Sequence, residues 1–191
     1  MRTALRTLTL AGLLLGCGGS LASAQHPQTR EGFWISFGFG YGSASLKCDR
    51  CADTTVGGVT GFVRLGGTLN RHLLLGGEID GWTHDYSPGT ETLGSVTAAL
   101  YYYPKPASGF FVKGGLGFSD YRFSYQGTVS GVGGGLVAGL GYDIRVGRMF
   151  SITPTGDLWY GSVGDLKSAG SVTATGWKQA IVSFGLGATF H

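Results

Sequence analysis

A pair of cysteines is the first feature of the sequence that could support chemistry. Cys48 and Cys51 stand three positions apart in the segment Cys48-Asp49-Arg50-Cys51. A zinc site would need two further Cys or His ligands nearby, and a thioredoxin-like motif would need a strand followed by a helix. Neither context is present in the sequence. In an oxidising compartment we therefore predict a small disulfide that pins an exposed loop, with a metal or redox role as the alternative.

Two other segments contain residues of catalytic or phosphate-binding type. His84, Asp85 and Ser87 supply the base, acid and nucleophile of a hydrolase, but neighbours in a single loop need not hold the hydrogen-bond geometry of a triad. The glycine-rich residues 131–135 could cradle a phosphate, but no helix pattern follows them to supply a dipole. We therefore predict no catalytic residues, no metal and no cofactor.

An aromatic segment is the best candidate for binding a partner. Tyr121, Arg122, Phe123 and Tyr125 follow one another within six positions, and Tyr and Arg are enriched at interaction hot spots. We interpret the segment as a surface-interaction loop. The alternative is that these residues only extend a strand.

The composition indicates β-structure in a solvent other than water alone. Glycine accounts for 37 of 191 residues and aromatic residues for 13%, whereas charged residues make up only 13%. That charged share is about half the usual one. The glycines lack a period of three, which excludes a collagen-like chain, and the aromatic content excludes disorder.

The first 24 residues have the features of an export signal. Arg2 and Arg6 precede a short apolar run, residues 8–15, and Ala22-Ser23-Ala24 supplies a small-x-small cleavage site. The run is too short to cross a bilayer as a helix. We predict a cleaved signal peptide, residues 1–24, and one domain, residues 25–191. The alternative is a lipoprotein signal that makes Cys17 the lipidated N-terminus; both readings export the chain.

The charge balance excludes one class of partner. Without Arg2 and Arg6, 12 basic residues remain against 11 acidic ones. The mature chain is thus nearly neutral, and no basic patch indicates nucleic acid.

A period of two dominates the rest of the sequence. From Phe33 to Tyr41 the odd positions are large and apolar, and the even ones are mostly Gly or Ser. A strand separates such classes onto two faces, whereas a helix would mix them. The pattern recurs seven times and predicts eight strands, at residues 33–41, 59–69, 73–82, 95–103, 110–119, 136–145, 150–160 and 182–190.

The connections between these strands alternate in length. Short turns are predicted at residues 70–72, at 104–109 and near 147. Longer polar links are predicted at residues 43–56, 85–91, 120–131 and 162–174. Short turns at one end and long loops at the other are typical of an outer-membrane barrel.

The two faces of the strands differ in charge. The apolar register has essentially no charge, and the opposite register combines small residues with seven charged ones. Glycine inside a narrow barrel leaves room for such groups, and a sheet in lipid must close on itself. We therefore predict an all-β fold, an eight-stranded antiparallel up-and-down transmembrane β-barrel, with a lumen charge network formed by Arg64, Glu78, Asp80, Lys113, Asp143, Arg145 and Asp157.

A turn at residues 70–72 would place Arg64 directly opposite Glu78. We expect these two residues and Lys113 to form the middle of the network and to plug the lumen, because buried charges are tolerable when they are paired.

Three segments resemble strand signatures of the small outer-membrane β-barrel family, which includes the OmpA barrel domain and the OmpX/Ail-like proteins. They are residues 73–78 (LLLGGE), 111–117 (FVKGGLG) and 139–143 (GLGYD). The last strand, with alternate hydrophobic residues ending at Phe190, resembles the C-terminal signal that the barrel-assembly machinery recognises in this family. Here His191 follows that aromatic residue. The resemblance implies an integral protein of the bacterial outer membrane that contacts lipid and lipopolysaccharide.

These observations favour a structural or surface-interaction role, with an extracellular ligand bound through the loops, and no enzymatic activity. A narrow channel for ions or small solutes is the first alternative. A lipid-modifying enzyme of the outer membrane is a weaker one.

Overall fold

The fold is a single closed sheet. The computed structural model describes residues 30–191, so the predicted signal peptide lies outside the described residues. The strands are β1 Phe33–Lys47, β2 Thr54–Asn70, β3 Leu73–Tyr86, β4 Gly89–Tyr102, β5 Phe110–Ser124, β6 Thr128–Tyr142, β7 Ile144–Arg145, β8 Phe150–Ser168 and β9 Ser171–Phe190. β7 continues β6 after an interruption at Asp143, so the described part of the chain has eight barrel strands.

Hydrogen bonding closes the sheet into a ring. Each strand from β1 to β6 pairs antiparallel with the next, β6 and its continuation β7 both pair with β8, β8 pairs with β9, and β9 pairs with β1. A closed ring has no free edge, which satisfies the backbone groups of every strand without water. The predicted fold class is confirmed. Among residues 30–191, no helix is long and apolar enough to cross a membrane.

Side chains alternate between two very different environments. The outward register carries large apolar residues that are well exposed, such as Leu116 and Phe39, each 73% exposed. The inward register holds the buried charged and aromatic residues. We call the outward zone the apolar belt; it includes Phe37, Phe39, Val63, Ile79, Val96, Leu116, Leu136, Leu158 and Phe184.

The predicted long polar links are wrong. β3 and β4 are joined by Ser87-Pro88, β5 and β6 by residues 125–127, and β8 and β9 by Ala169-Gly170. These three connections lie at the same end of the barrel as the link between β1 and β2, residues 48–53, which is the longest of the four. The longest connection at the opposite end, which we call the turn end, is residues 103–109. Most of the residues predicted as loops are instead continuations of strands.

These continuations form a collar beyond the apolar belt. The outward register changes from apolar to polar at corresponding levels of neighbouring strands, at Ser43, Thr83, Thr92, Asp120, Ser130 and Lys178. We define the collar as residues 42–47, 54–58, 83–86, 89–92, 120–124, 128–131, 162–168 and 171–178. Its outer face is polar, and its inner face encloses the end of the barrel.

The hairpin between β2 and β3 corrects a detail of the predicted register. Residues 71–72 form a two-residue turn, and a bulge lies between Thr68 and Asn70. The Asn70 side-chain oxygen accepts two backbone N–H groups of the turn. The bulge and the shorter turn compensate each other, so Arg64 does pair with Glu78 across the two strands.

Candidate functional site

Five of the seven predicted lumen residues meet in the middle of the barrel. Arg64 Nη2 lies 2.7 Å from Asp157 Oδ2 and 3.5 Å from Asp80 Oδ1. Lys113 Nζ lies 2.6 Å from Glu78 Oε2 and 3.0 Å from Asp157 Oδ1. All five side chains are buried. Two bases therefore face three acids in one cluster, which we call the lumen cluster.

Apolar layers enclose the lumen cluster on both sides. The register places Trp82, Leu93, Trp159 and Ile181 on its collar side, and Trp34, Leu74 and Phe111 on its turn side. Tyr101 lies in the turn-side layer, and its hydroxyl donates a hydrogen bond to Glu78 Oε1. The cavity on the turn side measures only about 10 Å³, close to the smallest space that holds one water.

The other two predicted lumen residues, Asp143 and Arg145, are buried apart from the lumen cluster, at the turn end, where Asp143 is the centre of a second group of polar contacts. Asp143 Oδ2 accepts a hydrogen bond from Tyr103 (3.0 Å) and one from Arg30 (3.4 Å), and His191 Nε2 lies 3.5 Å from it. The single predicted network is thus divided in two. The reason is their position along the chain. Gly139 of β6 lies beside the lumen cluster, and Asp143 and Arg145 follow it towards the turn end.

The Cys48–Cys51 disulfide is present in the connection between β1 and β2. Two further contacts attach this connection to β9. The Asp49 backbone N–H donates to the Thr175 carbonyl (3.2 Å), and the Thr175 hydroxyl donates to Asp49 Oδ2 (3.1 Å). The connection is therefore held against the collar rather than projecting from it.

The hydrolase-like residues do not assemble into a triad. His84 faces inward, and its Nδ1 lies 2.7 Å from the Gly57 carbonyl. Asp85 faces outward and accepts a hydrogen bond from the Thr90 hydroxyl at 2.8 Å. Strand alternation places the base and the acid on opposite faces of the sheet.

The predicted surface-interaction loop, Tyr121, Arg122, Phe123 and Tyr125, is not a loop. β5 runs through Ser124, so the first three of these residues lie on a strand of the collar. Tyr121 and Phe123 face the barrel interior, Arg122 faces outward, and Tyr125 lies exposed in the turn. The segment therefore contributes two aromatic rings to the inner wall of the collar.

These rings line an open cavity of about 380 Å³ at the collar end, which we call the mouth cavity. It is lined by Leu46, Cys51, Ala52, Thr54, Tyr86, Glu91, Tyr121, Phe123 and Trp177. Leu46, Glu91 and Tyr121 are buried, whereas Ala52, Thr54 and Tyr86 are exposed. The first set forms the floor and the second forms the rim.

A carboxylate lies in the floor of the mouth cavity. Glu91 is 4% exposed. Its Oε1 accepts a hydrogen bond from the Tyr121 hydroxyl (2.8 Å), and its Oε2 accepts one from the Tyr86 hydroxyl (3.3 Å). Among residues 30–191, no basic side chain lies within ion-pairing distance of Glu91. Two neutral donors thus orient the carboxylate without cancelling its charge.

Aromatic rings line the same cavity as this carboxylate. The ring centroids of Tyr121 and Trp177 are 4.4 Å apart, and those of Tyr86 and Phe123 are 6.5 Å apart. Partial burial and the negative charge of Glu91 raise the pKa of Tyr86. Its hydroxyl therefore remains protonated, and remains a donor, beyond the usual range of pH.

Sequence reasoning missed Tyr86, Glu91 and Trp177. Tyr86 and Glu91 fall in the single predicted link 85–91, and Trp177 follows the predicted link 162–174. They meet only because β3, β4 and β9 continue through the collar. Their alternation along the chain is the signal that could have identified them.

Comparison with known proteins shows which solved structures have a similar fold. No protein-family model matches the sequence, and no curated protein matches it. The structure of Neisserial surface protein A superimposes with a TM-score of 0.54 at 16% identity, over 82% of this chain and 96% of that one. The structure of Ail from Yersinia pestis, in complex with the heparin analogue sucrose octasulfate, does so with a TM-score of 0.53 at 19% identity, over 84% and 99%.

This chain has the fold of the small outer-membrane β-barrels. At such low identity the likeness establishes the architecture, and a function must be argued from the site.

Proposed function

We propose that this chain is an integral outer-membrane protein, exported by residues 1–24, whose closed barrel binds an external ligand at the mouth cavity. The apolar belt supports the location, since Leu116, Phe39 and Phe184 would otherwise expose 73% of their surface to water. Large contiguous apolar surfaces on a folded chain mark contact with a membrane or a partner.

The collar end is proposed as the external end. Phe33 and Phe190 both lie at the turn end, beside the 103–109 connection. A chain delivered to the periplasm would keep Phe33 and Phe190 there and would move the collar ends of its hairpins across the membrane. The collar and the mouth cavity would then face the outside of the cell.

The interior argues against the channel. The lumen cluster spans the barrel between two apolar layers, and Arg64 and Lys113 are each held by at least two carboxylates. An ion crossing the barrel would have to break these pairs and displace buried aromatic residues. The lipid-modifying enzyme is disfavoured as well, because His84 and Asp85 face opposite sides of the sheet.

The mouth cavity is the observation that carries the binding function. Its volume lies within the range of known ligand pockets, and its walls are mostly apolar with a few convergent polar groups, which is typical of such sites. The structure of Ail was determined with a heparin analogue. This chain is a poor candidate for that polyanion, because its cavity carries an acid and its collar mixes bases with acids, as in the 2.6 Å pair of Lys47 and Asp53.

Surface labelling of intact cells tests the location and the orientation together. Ser124→Cys in the collar should react with a membrane-impermeant maleimide, whereas Arg148→Cys at the turn end should react only after the outer membrane is permeabilised. The reverse pattern would contradict the orientation. Recovery of the processed chain as a soluble periplasmic monomer would contradict the membrane location.

Planar-bilayer recording tests the closed lumen. The purified barrel, verified by its heat-modifiable migration on detergent gels, should show no steady conductance. Reproducible channel steps would favour the channel over the binding function.

A further inference from the structure

The charge of the mouth cavity restricts the chemistry of its ligand. Glu91 is buried, and its two hydrogen-bond partners are the neutral hydroxyls of Tyr86 and Tyr121. An ionised carboxylate in a partly apolar site is costly unless a positive charge is brought near it. A ligand that carries a cation would supply that charge, and an anionic ligand would add repulsion.

The walls distinguish an organic cation from a metal ion. Calcium requires six to eight oxygen ligands, and magnesium requires an octahedral set. The lining offers one carboxylate and the hydroxyls of Tyr86, Tyr121 and Thr54, amid rings and aliphatic groups. The negative faces of Tyr, Trp and Phe rings instead attract ammonium groups, and aromatic cages with a carboxylate are suited to alkylated ones that cannot donate hydrogen bonds.

The arrangement of the rings matches this requirement. Tyr121 packs at an angle of 53° against Trp177, and Tyr86 at 63° against Phe123. Within each pair the rings are thus inclined to each other rather than stacked flat, and all four rings line the same cavity as the carboxylate. Both tyrosines are attached to Glu91 by their hydroxyls, which fixes two of the four rings relative to the charge.

We propose that the mouth cavity binds a small organic cation, an alkylated ammonium group, between the Glu91 carboxylate and the rings of Tyr86, Tyr121, Phe123 and Trp177. The inference deepens the proposed function and rests on it. Because the lumen beneath is packed, the ligand is held at the external surface rather than passed inward. The source of the ammonium group is either a free solute or a headgroup displayed on a surface.

Calorimetric titration of the full barrel with choline chloride tests this inference. The protein is kept in a maltoside detergent, whose headgroup carries no charge. Choline should bind saturably, and 3,3-dimethyl-1-butanol, its neutral carbon isostere, should bind at least tenfold more weakly. Sodium chloride at equal ionic strength is the blank. Equal binding of choline and its isostere would overturn the proposal, because a purely apolar pocket would not distinguish them.

Three variants assign the binding to the cavity. Glu91→Gln keeps the shape of the side chain and should weaken choline binding at least tenfold. Trp177→Leu, at a half-buried wall position, should also weaken it and provides a second measure if Glu91→Gln folds poorly. Asp85→Asn is the matched control, since it removes an acid from the outer face of the same collar, and should leave the affinity unchanged. Unchanged affinity in both cavity variants would overturn the proposal.

Two further titrations separate the sources of the ligand. If a displayed headgroup is recognised, phosphocholine or phosphatidylcholine vesicles should bind at least as well as choline; if a free solute is recognised, their phosphate should weaken binding. A barrel that passes the labelling test yet binds none of these probes overturns this inference and leaves the proposed location and closed lumen standing. A chain that fails the labelling test overturns the proposed function itself.

Discussion

Lys113 Nζ lies 3.0 Å from Asp157 Oδ1 although β6 separates the strands that carry them. The two side chains meet over Gly139, which pairs with Lys113 on one side and with Asp157 on the other. A Cβ atom at Gly139 would lie 2.8 Å from Lys113 Cε. The absence of a side chain at this position is therefore what allows an ion pair to cross an intervening strand.

Gly139→Ala should destabilise the barrel by about 1–3 kcal/mol, the usual range for overpacking a close-packed interior. The added methyl group would clash with both the Lys113 stem and the Asp157 carboxylate, so both must move. Urea midpoints, followed by the folded band on unheated detergent gels, measure the effect. Gly134→Ala is the control on the same strand, because a Cβ there meets no atom within 4 Å. Equal midpoints for the two variants would contradict this account of the packing.

Arg64→Ala should cost about 3–5 kcal/mol of unfolding free energy. It removes the ion-pair partner of the buried Asp80 and leaves Glu78 and Asp157 with Lys113 alone. Arg64 contacts three acids, Glu78, Asp80 and Asp157, from within the lumen cluster. The same urea experiment measures the loss. Arg122→Ala, at an exposed outward position of the collar, should change the free energy by less than about 0.5 kcal/mol. If both variants retain the wild-type midpoint, the lumen cluster does not stabilise the barrel.

The sequence predicted the belt well for a physical reason. Under the proposed membrane location, lipid on one face and a narrow interior on the other enforce a strict separation of side-chain types, so that a period of two is visible from Phe33 to Tyr41 and in each later strand. The pairing of Arg64 with Glu78 could be predicted in the same way, since one hairpin turn sets the register of both strands.

The collar was not predicted because the outward register of its strands is polar rather than apolar. Without an apolar register, residues 120–124 and 162–168 look like polar loops, although their backbone continues the ladder. The inward rings of Tyr121 and Trp177 are 56 positions apart in the sequence, and only closure of the ring through β9 brings them together.

The partners of Asp143 at the turn end were not predicted, for another reason. Arg30 precedes the first strand and His191 follows the last, so neither belongs to a periodic pattern. Both reach Asp143 through contacts across the closed barrel, and Arg30 lies 113 positions away from it in the sequence. Local pattern carries no information about contacts of this kind.

The disulfide should control local rather than global stability. In the double variant Cys48→Ser, Cys51→Ser, hydrogen exchange should accelerate in residues 48–53, while the urea midpoint of the barrel changes little, because the bridge closes a very short loop outside the belt. Folded wild-type protein should show no reactive thiol at these positions. Adding a reductant should reproduce the exchange of the variant in the wild type and have no effect on the variant. Two reactive thiols in the untreated folded protein would contradict the bridge.

Two arginine substitutions on one face of β5 can locate the edge of the membrane. Leu116 and Ser124 both face outward and are both exposed, but the first lies in the apolar belt and the second in the collar. Leu116→Arg should cost up to about 4 kcal/mol in a bilayer, the upper value for a charge within the hydrocarbon, and Ser124→Arg close to nothing. The folded fraction after insertion into vesicles, read from heat-modifiable migration across a urea series, measures both. Because the two variants add the same charge to the same strand, a difference between them reports the surroundings alone. Equal tolerance of both would mean that lipid does not cover the belt.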